Sequence, residues 1–354
     1  MTILDLLDQV VQKNASDLHL VLGCAPTLRI DGVLQAVPGT PLLNHETLKS
    51  LVDGILTEEQ KDYVNANKEM DFGYTHKDQG RFRVNVYHAQ GGLCAALRLI
   101  PKNIGTMAQL NLLPIFSEFS KFRQGLVLLT GPTGEGKSTT LAAIIEEINQ
   151  TRTEHILTIE DPVEFIYQPK RSIVSQRELN NDTTSWQLSL RSALREDPDV
   201  VLIGELRDYE TISLALTVAE TGHLVFSTLH TSTAAETIDR IVDVFPASQQ
   251  GQVRSQLAGS LKVVASQRLL PALGGGRIPA FEIMVATGAV RNLIREAKTF
   301  QIDNAIQTGL ADNMILFEHH LKQLIEAGRI SKETAIEYAF RREEIERVLS
   351  AVKS

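Results

Sequence analysis

The stretch Leu126-Val-Leu-Leu-Thr-Gly-Pro-Thr-Gly-Glu-Gly-Lys-Ser138 carries an apolar run directly into a glycine-rich turn. An unbroken apolar run of this length is typical of a β-strand that is buried on both faces. Leu141, Ile144 and Ile148 follow at helical spacing, so a helix is expected to start at the turn. Residues 131–138 fit the pattern G-x-x-x-x-G-K-[ST], and the strand and helix around them supply the context in which that pattern binds phosphate. The sequence therefore predicts a phosphate-binding loop.

Each part of this loop has a predicted task. Glycines let backbone N–H groups turn toward phosphate oxygens, and the helix N-terminus favours negative charge. We expect the Lys137 ammonium to reach the β- and γ-phosphates and the Ser138 hydroxyl to ligate Mg²⁺. The Glu135 carboxylate would repel a nucleotide, so we expect it to point outward to solvent. With ATP and Mg²⁺ as cofactors, the predicted nucleotide contacts are Gly131, Pro132, Thr133, Gly134, Glu135, Gly136, Lys137, Ser138 and Thr139.

Three further apolar runs have the character of buried strands, and helical stripes separate them. They are residues 155–161, 200–205 and 224–230. Strands that alternate with helices favour a doubly wound, mostly parallel sheet. We therefore expect an α/β core at residues 119–270.

Carboxylates stand at the ends of two of these runs. Glu205 follows a glycine, where a magnesium-binding aspartate is more usual, so we expect Glu205 to orient and polarise the attacking water. We expect Glu160 to join the site and, with Asp161, to complete the metal shell through water. Asp161 has the alternative role of capping a turn, and Glu164 that of a surface charge.

Histidine and arginine side chains are candidates for contacts with the γ-phosphate. His223 starts the last strand-like run and His230 ends it, and an imidazole at a strand's C-terminal end can sense that phosphate. Either histidine has a structural role as its alternative. A positive finger at the γ-phosphate promotes phosphoryl transfer, and the sequence leaves the choice of arginine open. The candidates are Arg81, Arg83 and Arg98 before the core, and Arg191 and Arg195 (whose alternative partners are Glu196 and Asp197) and Arg207 within it.

The regions on either side of the core differ in pattern. Residues 1–100 predict an α+β domain, with a first helix, short strands and a hairpin around Gly91-Gly92. Residues 101–118 are predicted to be a linker. Residues 271–354 begin with a proline and a triple-glycine loop, and they predict a largely helical region. Its charged tail, residues 341–344, is expected to be a solvated helix face.

Composition narrows the class of protein. The chain has 354 residues, 43% of them hydrophobic, which is typical of a globular protein. Its net charge of −8 disfavours a protein whose main task is to grip nucleic acid. Two cysteines exclude both a disulfide framework and a four-cysteine zinc site. We find no signal peptide and no apolar run long enough for a membrane helix, so we expect a cytoplasmic protein.

Four segments together resemble the motifs of the secretion and pilus motor ATPases. Residues 131–139, GPTGEGKST, resemble their Walker A box, and residues 158–165, TIEDPVEF, resemble their aspartate box. Residues 196–208, EDPDVVLIGELRD, resemble their atypical Walker B box. Residues 218–231 resemble their histidine box.

Other segments are similar to the members that retract type IV pili. Residues 15–20 and 81–85 are similar to their N-terminal domain, and residues 289–296, AVRNLIRE, to a C-terminal motif associated with retraction. Neither the extra N-terminal domain nor the zinc motif of extension ATPases is found. Glu135 stands where the family commonly has Ser, and Val290 where it commonly has Ile.

The resemblance implies a RecA-like P-loop ATPase core with a PAS-like α+β N-terminal domain, assembled as a homohexamer. It implies that ATP lies between the two domains, with N-terminal arginines closing over it; on this basis we assign Arg83 and Arg98 to the catalytic set. It also implies a motor at the inner face of the inner membrane that turns a platform protein, so that pilin subunits leave the fibre. Neither nucleic acid nor direct membrane insertion is expected. The full set of predicted catalytic residues is Glu205, Glu160, Arg83, Arg98 and His230, and His223 is predicted to contact the nucleotide.

Three alternatives stay open at this stage. One is an extension or secretion ATPase, which the missing zinc motif disfavours. Another is a non-hydrolysing regulator of a partner motor, which Lys137, Ser138 and Glu205 disfavour. The last is a hexameric helicase, which the acidic charge and the lack of a basic, aromatic-lined strip disfavour.

Overall fold

The computed structural model describes residues 1–30, 32–77, 80–100 and 103–350 of the chain. It divides into two compact units. The N-terminal unit comprises Met1–Asn103 together with Asp161–Ile166 and Glu178–Asp182. The core unit comprises Ile104–Glu160, Tyr167–Arg177 and the chain from Thr183 onward.

The N-terminal unit forms, in its described residues, a six-stranded antiparallel sheet with the order β3-β2-β1-β6-β5-β4. Its buried side chains, such as Leu6, Leu18 and Phe82, form one hydrophobic cluster between the sheet and the helices. The predicted hairpin is confirmed: Ala89 pairs with Gly92, and Gly91 has a φ of 76° in the turn. The elements are α1 Ile3–Gln12, β1 Asp17–Leu20, β2 Thr27–Ile30, β3 Val33–Ala36, α2 His45–Asp53, α3 Glu58–Asn67, β4 Glu69–His76, β5 Gly80–Ala89 and β6 Gly92–Ile100.

The core unit is built on a seven-stranded sheet, counted over its described residues, with the order β13-β12-β7-β11-β10-β8-β9. The strands from β12 to β8 run parallel, as the alternation of strands and helices predicts. Its elements begin with α4 Phe116–Phe119, β7 Gly125–Thr130, α5 Lys137–Thr151, β8 His155–Glu160, β9 Ile173–Glu178, α6 Trp186–Ala193, β10 Val200–Ile203, α7 Tyr209–Glu220 and β11 Leu224–Leu229. They continue with α8 Ala234–Asp243, α9 Ala247–Ser260, β12 Leu261–Pro271, β13 Arg277–Val285, α10 Gly288–Arg295, α11 Ile302–Thr308, α12 Phe317–Glu326, α13 Lys332–Tyr338 and α14 Arg342–Ser350.

The structure differs from the sequence-based prediction in the segment after residue 270. Strand β13 lies inside the region that was expected to be helical, and it pairs with β12 in antiparallel register from Pro271↔Arg277 to Val263↔Val285. The triple-glycine loop is therefore the turn of a hairpin, and Gly275 and Gly276 have positive φ angles there. The run from Ile278 to Met284 is buried, which explains its apolar character without a helix.

The predicted linker, 101–118, also differs from expectation where it can be compared. Pro101 and Lys102 lie outside the described residues. From Ile104 the chain belongs to the core unit. Phe116 is fully buried, and its ring centroid lies 4.7 Å from that of Phe281 on β13. This segment therefore contributes to the hydrophobic core of the unit.

Candidate functional site

The predicted phosphate-binding loop lies between β7 and α5, as the sequence indicated. Gly131, Gly134 and Gly136 have φ angles of 139°, 84° and 80°, which only glycine adopts without strain. The Lys137 side chain is buried, and its ammonium donates hydrogen bonds to the carbonyl oxygens of Gly131 at 2.6 Å and Pro132 at 2.8 Å. The ammonium is thus held over the start of the loop, where it can meet phosphate oxygens. Ser138 lies at the exposed N-terminal turn of α5.

The Glu135 side chain does not point into solvent, and the expectation about it was wrong. One carboxylate oxygen, Oε2, accepts a hydrogen bond from the backbone N–H of Leu269 on β12 at 2.5 Å. The carboxylate therefore binds the backbone of the neighbouring strand β12. This contact could not be predicted locally, because Leu269 comes 134 residues after Glu135 in the sequence.

Glu205 and His230 follow neighbouring parallel strands, and the structure brings them together. Ile203 of β10 pairs with Ser227 of β11, so the two strands end at the same edge of the sheet. His230 Nε2 lies 3.1 Å from Glu205 Oε2, and the other carboxylate oxygen of Glu205 pairs with Arg207. Only 15% of the Glu205 side chain is exposed, whereas its two partners are more than half exposed. The carboxylate is therefore held by groups that can rearrange when a ligand arrives.

The phosphate loop begins at the same edge of the sheet. Thr130, the last residue of β7, pairs with Leu229 of β11, so Gly131 and His230 follow paired residues. Glu160 ends β8 on the other side of β10, and a Cβ atom placed on Gly204 would lie 3.4 Å from its Cα. Four strand ends thus place the loop, His230, Glu205 and Glu160 along one edge, where a parallel sheet of this class binds its ligand.

One predicted residue, His223, lies elsewhere. His223 precedes β11, at the opposite end of the strand from His230, and its Nδ1 lies 3.0 Å from the Val218 carbonyl oxygen and 3.1 Å from the Thr221 hydroxyl. The six-residue strand separates it from the phosphate loop of this chain by about 20 Å. The structure therefore does not place His223 beside the phosphate loop of this chain. Asp161 directly follows Glu160 but belongs to the N-terminal unit, whereas Glu160 belongs to the core unit.

The candidate arginines of the N-terminal unit are each bound to carboxylates of that unit. Arg83 donates to Asp71 Oδ2 at 2.6 Å and 3.0 Å and lies 3.6 Å from Glu164. Burial opposes the charge of Arg83, but the hydrogen bond and charge of Asp71 outweigh it and raise its pKa. Arg98 donates to Asp17 at 2.9 Å. Burial works to raise the pKa of Asp17, but its hydrogen bonds with Ser16 and Arg98 lower it below the ordinary value.

Sequence reasoning missed one buried carboxylate of this unit, Glu178. It is 3% exposed and accepts backbone N–H groups from Gly73 and Val163, each at 3.0 Å. It also pairs with Arg81, which donates to the Val163 carbonyl oxygen at 2.9 Å. Arg81 and Val163 are 82 residues apart in the sequence, and Gly73 and Glu178 are 105 residues apart. No local sequence pattern therefore indicates these contacts.

The candidate arginines of the core unit differ from those of the N-terminal unit in their partners. Glu196, which was a possible partner of Arg191 or Arg195, pairs with Arg177 at 2.9 Å. Arg207 is the candidate that the structure places beside Glu205. Among the described residues, no cluster of three or more His, Cys, Asp or Glu side chains is arranged to hold a metal ion. No helix in this part of the chain is long and apolar enough to cross a membrane.

A glycine loop that joins a buried parallel strand to a helix, with a buried lysine in it and a carboxylate on a neighbouring strand end, defines a P-loop nucleotide-binding protein. The chain belongs to the Type II/IV secretion system protein family, whose model matches residues 2–335. It is 49% identical over 339 residues to the type IV pilus retractation ATPase PilT of Pseudomonas aeruginosa, a match that covers 96% of this chain and 98% of that protein. It is 46% identical over 326 residues to a twitching motility protein of Neisseria gonorrhoeae, covering 92% and 87% of the two chains.

A solved structure supports the same assignment. The crystal structure of the pilus retraction motor PilT with bound ADP matches with a TM-score of 0.91 at 44% identity, over 98% of this chain and 99% of that one. The predicted family, the α/β ATPase fold and the ATPase class are therefore confirmed.

Proposed function

We propose that this protein is an ATP-driven motor that powers the retraction of type IV pili. The observation that carries the proposal is a single sheet edge that holds the phosphate loop and the Glu205–His230 pair, in a chain that matches a retraction ATPase over 96% of its length. This arrangement supplies both halves of ATP hydrolysis, a cradle for the phosphates and a carboxylate for the water.

The chemistry follows from the residues at that edge. Backbone N–H groups of the glycine loop bind the phosphates, and the Lys137 ammonium exchanges its carbonyl contacts for phosphate oxygens. Mg²⁺, when bound, neutralises charge on the β- and γ-phosphates. The Ser138 hydroxyl at the start of α5 fits it as a ligand, because Mg²⁺ is commonly held by few protein groups plus substrate phosphates. Glu160 and Asp161 would hold its waters.

Glu205 is the proposed group that acts on water. Its carboxylate is largely buried and already faces His230, so it can orient a water molecule toward the γ-phosphate and accept its proton. His230 holds the Glu205 side chain in place. Arg83 or Arg98 of the N-terminal unit would supply the positive finger once its present carboxylate partner is exchanged for phosphate.

The assembly is proposed to be a homohexamer at the cytoplasmic face of the inner membrane. Nucleotide binding and release would move N-terminal units relative to cores, and the ring would turn a membrane platform protein and thereby withdraw pilin from the fibre. Retraction, rather than hydrolysis alone, is assigned to residues 289–296, which form most of α10.

The structure divides this retraction motif into two faces. Val290 and Ile294 are fully buried in the hydrophobic core of the unit. Asn292, Arg295 and Glu296 are exposed. Helix α10 follows the end of β13 that lies, through Val263 of β12, beside the start of β7, whereas the phosphate loop follows the other end of β7. We therefore expect the exposed face to meet a partner, and substitutions such as Arg295→Ala to spare ATP turnover while they abolish retraction.

The experiment is a count of pili per cell in strains that carry Glu205→Gln at the chromosomal locus. Glu146→Gln is the matched control, since Glu146 is 14% exposed and forms an ion pair with Lys170 away from this edge. Retraction predicts cells crowded with pili for Glu205→Gln and ordinary piliation for the control. Bald cells would instead assign the protein to pilus extension, and ordinary piliation in both strains would remove it from pilus dynamics.

A further inference from the structure

Strand β12 runs past the end of its parallel neighbour and alongside the phosphate loop. Its pairing with β7 ends at Ser266 and Thr130, but β12 continues to Pro271 against β13. On the side of β12 away from β13, the residues just beyond the pairing with β7, from Gln267 to Leu269, therefore lie beside the loop. Gln267 is 2% exposed, and a buried amide of this kind needs partners for both its oxygen and its nitrogen.

The Gln267 side chain binds both the loop and the helix that follows it. Its Oε1 accepts a hydrogen bond from the Thr140 hydroxyl on α5 at 2.8 Å. Its Nε2 donates to the backbone carbonyl oxygen of Glu135 at 2.7 Å. Its own carbonyl oxygen would lie 2.3 Å from a Cβ atom on Gly131, so the loop backbone can pass there only as glycine. Gln267 thus contacts Gly131, the Glu135–Gly136 peptide and the first turn of α5.

The hydrogen bond from Gln267 to the Glu135 carbonyl oxygen fixes the orientation of the Glu135–Gly136 peptide. In a trans peptide the C=O and the following N–H point in opposite directions. Because the Glu135 carbonyl points at the Gln267 amide, the N–H of Gly136 points away from that amide. The hydrogen bond from the Leu269 N–H to the Glu135 carboxylate also holds the side chain of Glu135 in place.

We propose that Gln267 is a positioning residue for nucleotide binding, which orients the Glu135–Gly136 peptide so that its N–H meets the phosphates. This inference rests on the proposed nucleotide binding at the loop. Gln267 itself touches no phosphate in this arrangement. Its effect comes from preorganisation, since a loop whose peptides already point inward loses less conformational freedom when phosphate binds.

The test compares two substitutions one residue apart in the purified full-length protein. Gln267→Met keeps the length of the side chain and removes both hydrogen bonds. Ser266→Ala is the matched control, because its buried hydroxyl contacts Thr130 at 2.8 Å and joins β12 to β7 without touching the loop. The measurements are the dissociation constant for a fluorescent ADP analogue and the melting temperature of each variant.

We expect Gln267→Met to weaken ADP binding about tenfold, the effect of losing one well-placed buried hydrogen bond, and Ser266→Ala to leave the affinity unchanged. Gln267→Met should lower the melting temperature more than Ser266→Ala, because it removes two buried hydrogen bonds and the control removes one. Unchanged ADP affinity in Gln267→Met, or equal losses of affinity in both variants, would overturn the positioning role. An absence of ADP binding in the wild-type protein would instead contradict the proposed function itself.

If Gln267→Met does not fold, Gln267→Glu tests the same proposal. A glutamate side chain still accepts from Thr140, but as a carboxylate it repels the Glu135 carbonyl oxygen, and only its protonated form can donate there. Burial raises the pKa of such a carboxyl, so ADP affinity relative to wild type should improve as the pH falls from about 8 to about 6. A pH-independent ratio between variant and wild type would contradict the proposal.

Discussion

Two clusters of carboxylates and cations in the core unit differ in their access to solvent. At the sheet edge, Glu205 is paired with Arg207 and His230, whose side chains are 67% and 53% exposed. Some distance along the chain, Glu282 and Glu318 are 0% exposed and both bind Arg341, at 3.1 Å and 3.0 Å. The first cluster has partners that can move into water, whereas both glutamates of the second, called the closed cluster below, are fully buried.

The closed cluster joins the C-terminal helices to the sheet. Arg341 also binds Asp303 of α11, and Glu282 of β13 accepts the backbone N–H of Ala234 at the start of α8. Burial raises the pKa of Glu282 above its ordinary value even though Arg341 opposes the shift. The same residue types therefore stabilise the fold in one cluster and are available for chemistry in the other, and the difference lies in burial and in how completely the charges are satisfied.

The largest effect is expected for Lys137→Ala. Removing the ammonium from the loop takes away a charge that the developing transition state needs, so ATP turnover should fall by about a thousandfold. The melting temperature should fall as well, because the buried carbonyl oxygen of Gly131 loses the ammonium as its donor. Turnover and a denaturation scan on the same sample measure both. Residual turnover near the wild-type rate would mean that this edge is not the catalytic site.

The next effect is expected on stability, for Arg341→Met. Two buried carboxylates lose their common cation, which should cost about 3–5 kcal/mol in the free energy of unfolding near neutral pH. The pKa of Glu282 is raised in the folded protein, so the folded state is more stable when this carboxyl is protonated. The loss of stability in Arg341→Met should therefore grow as the pH rises above the ordinary glutamate pKa and shrink as the pH falls toward that value. Chemical denaturation at about pH 5 and about pH 8 measures this difference. A loss that is equal at both values would contradict the account.

A smaller effect is expected for His230→Ala. The Glu205 carboxylate loses one of its two partners, so kcat should fall about tenfold while KM for ATP stays constant. Steady-state kinetics separate the two constants. A rise in KM without a change in kcat would instead show that His230 contacts the nucleotide and does not position Glu205.

The smallest effect is expected for Arg207→Ala. An ion pair whose cation is 67% exposed contributes at most about 1 kcal/mol, so turnover should change by no more than about threefold. A collapse comparable to that of Lys137→Ala would identify Arg207 as the arginine finger. Arg83→Ala and Arg98→Ala, assayed alongside, test the two N-terminal candidates in the same way.

The phosphate loop could be predicted because its determinants are local. Glycines at 131 and 136, the lysine and the flanking strand and helix are all contiguous in sequence. Glu205, Glu160 and His230 were found because each ends a recognisable apolar run, and the carboxyl ends of parallel strands share an edge. None of these features depends on contacts between residues that are far apart in the sequence.

The rest of the site depends on contacts between remote residues. Gln267 and Glu135 are 132 residues apart, and nothing near either one signals the bond between them. Arg341 was expected on a solvated helix face because of its charged neighbours, and that prediction was wrong for Arg341, which lies just before α14 and binds buried carboxylates. Its neighbour Arg342 is 79% exposed, as expected. Composition alone does not distinguish the two arginines.

The measurement that tests the central claim most directly compares Glu205→Gln with Glu146→Gln in the purified protein. Both glutamates are about equally buried and ion-paired, but only Glu205 lies at the edge beside the phosphate loop. We expect Glu205→Gln to bind ATP and ADP as the wild type does and to lose turnover by at least about a hundredfold, while Glu146→Gln retains both properties. Loss of nucleotide binding in Glu205→Gln, or equal turnover in the two variants, would contradict the assignment of Glu205 to the attacking water.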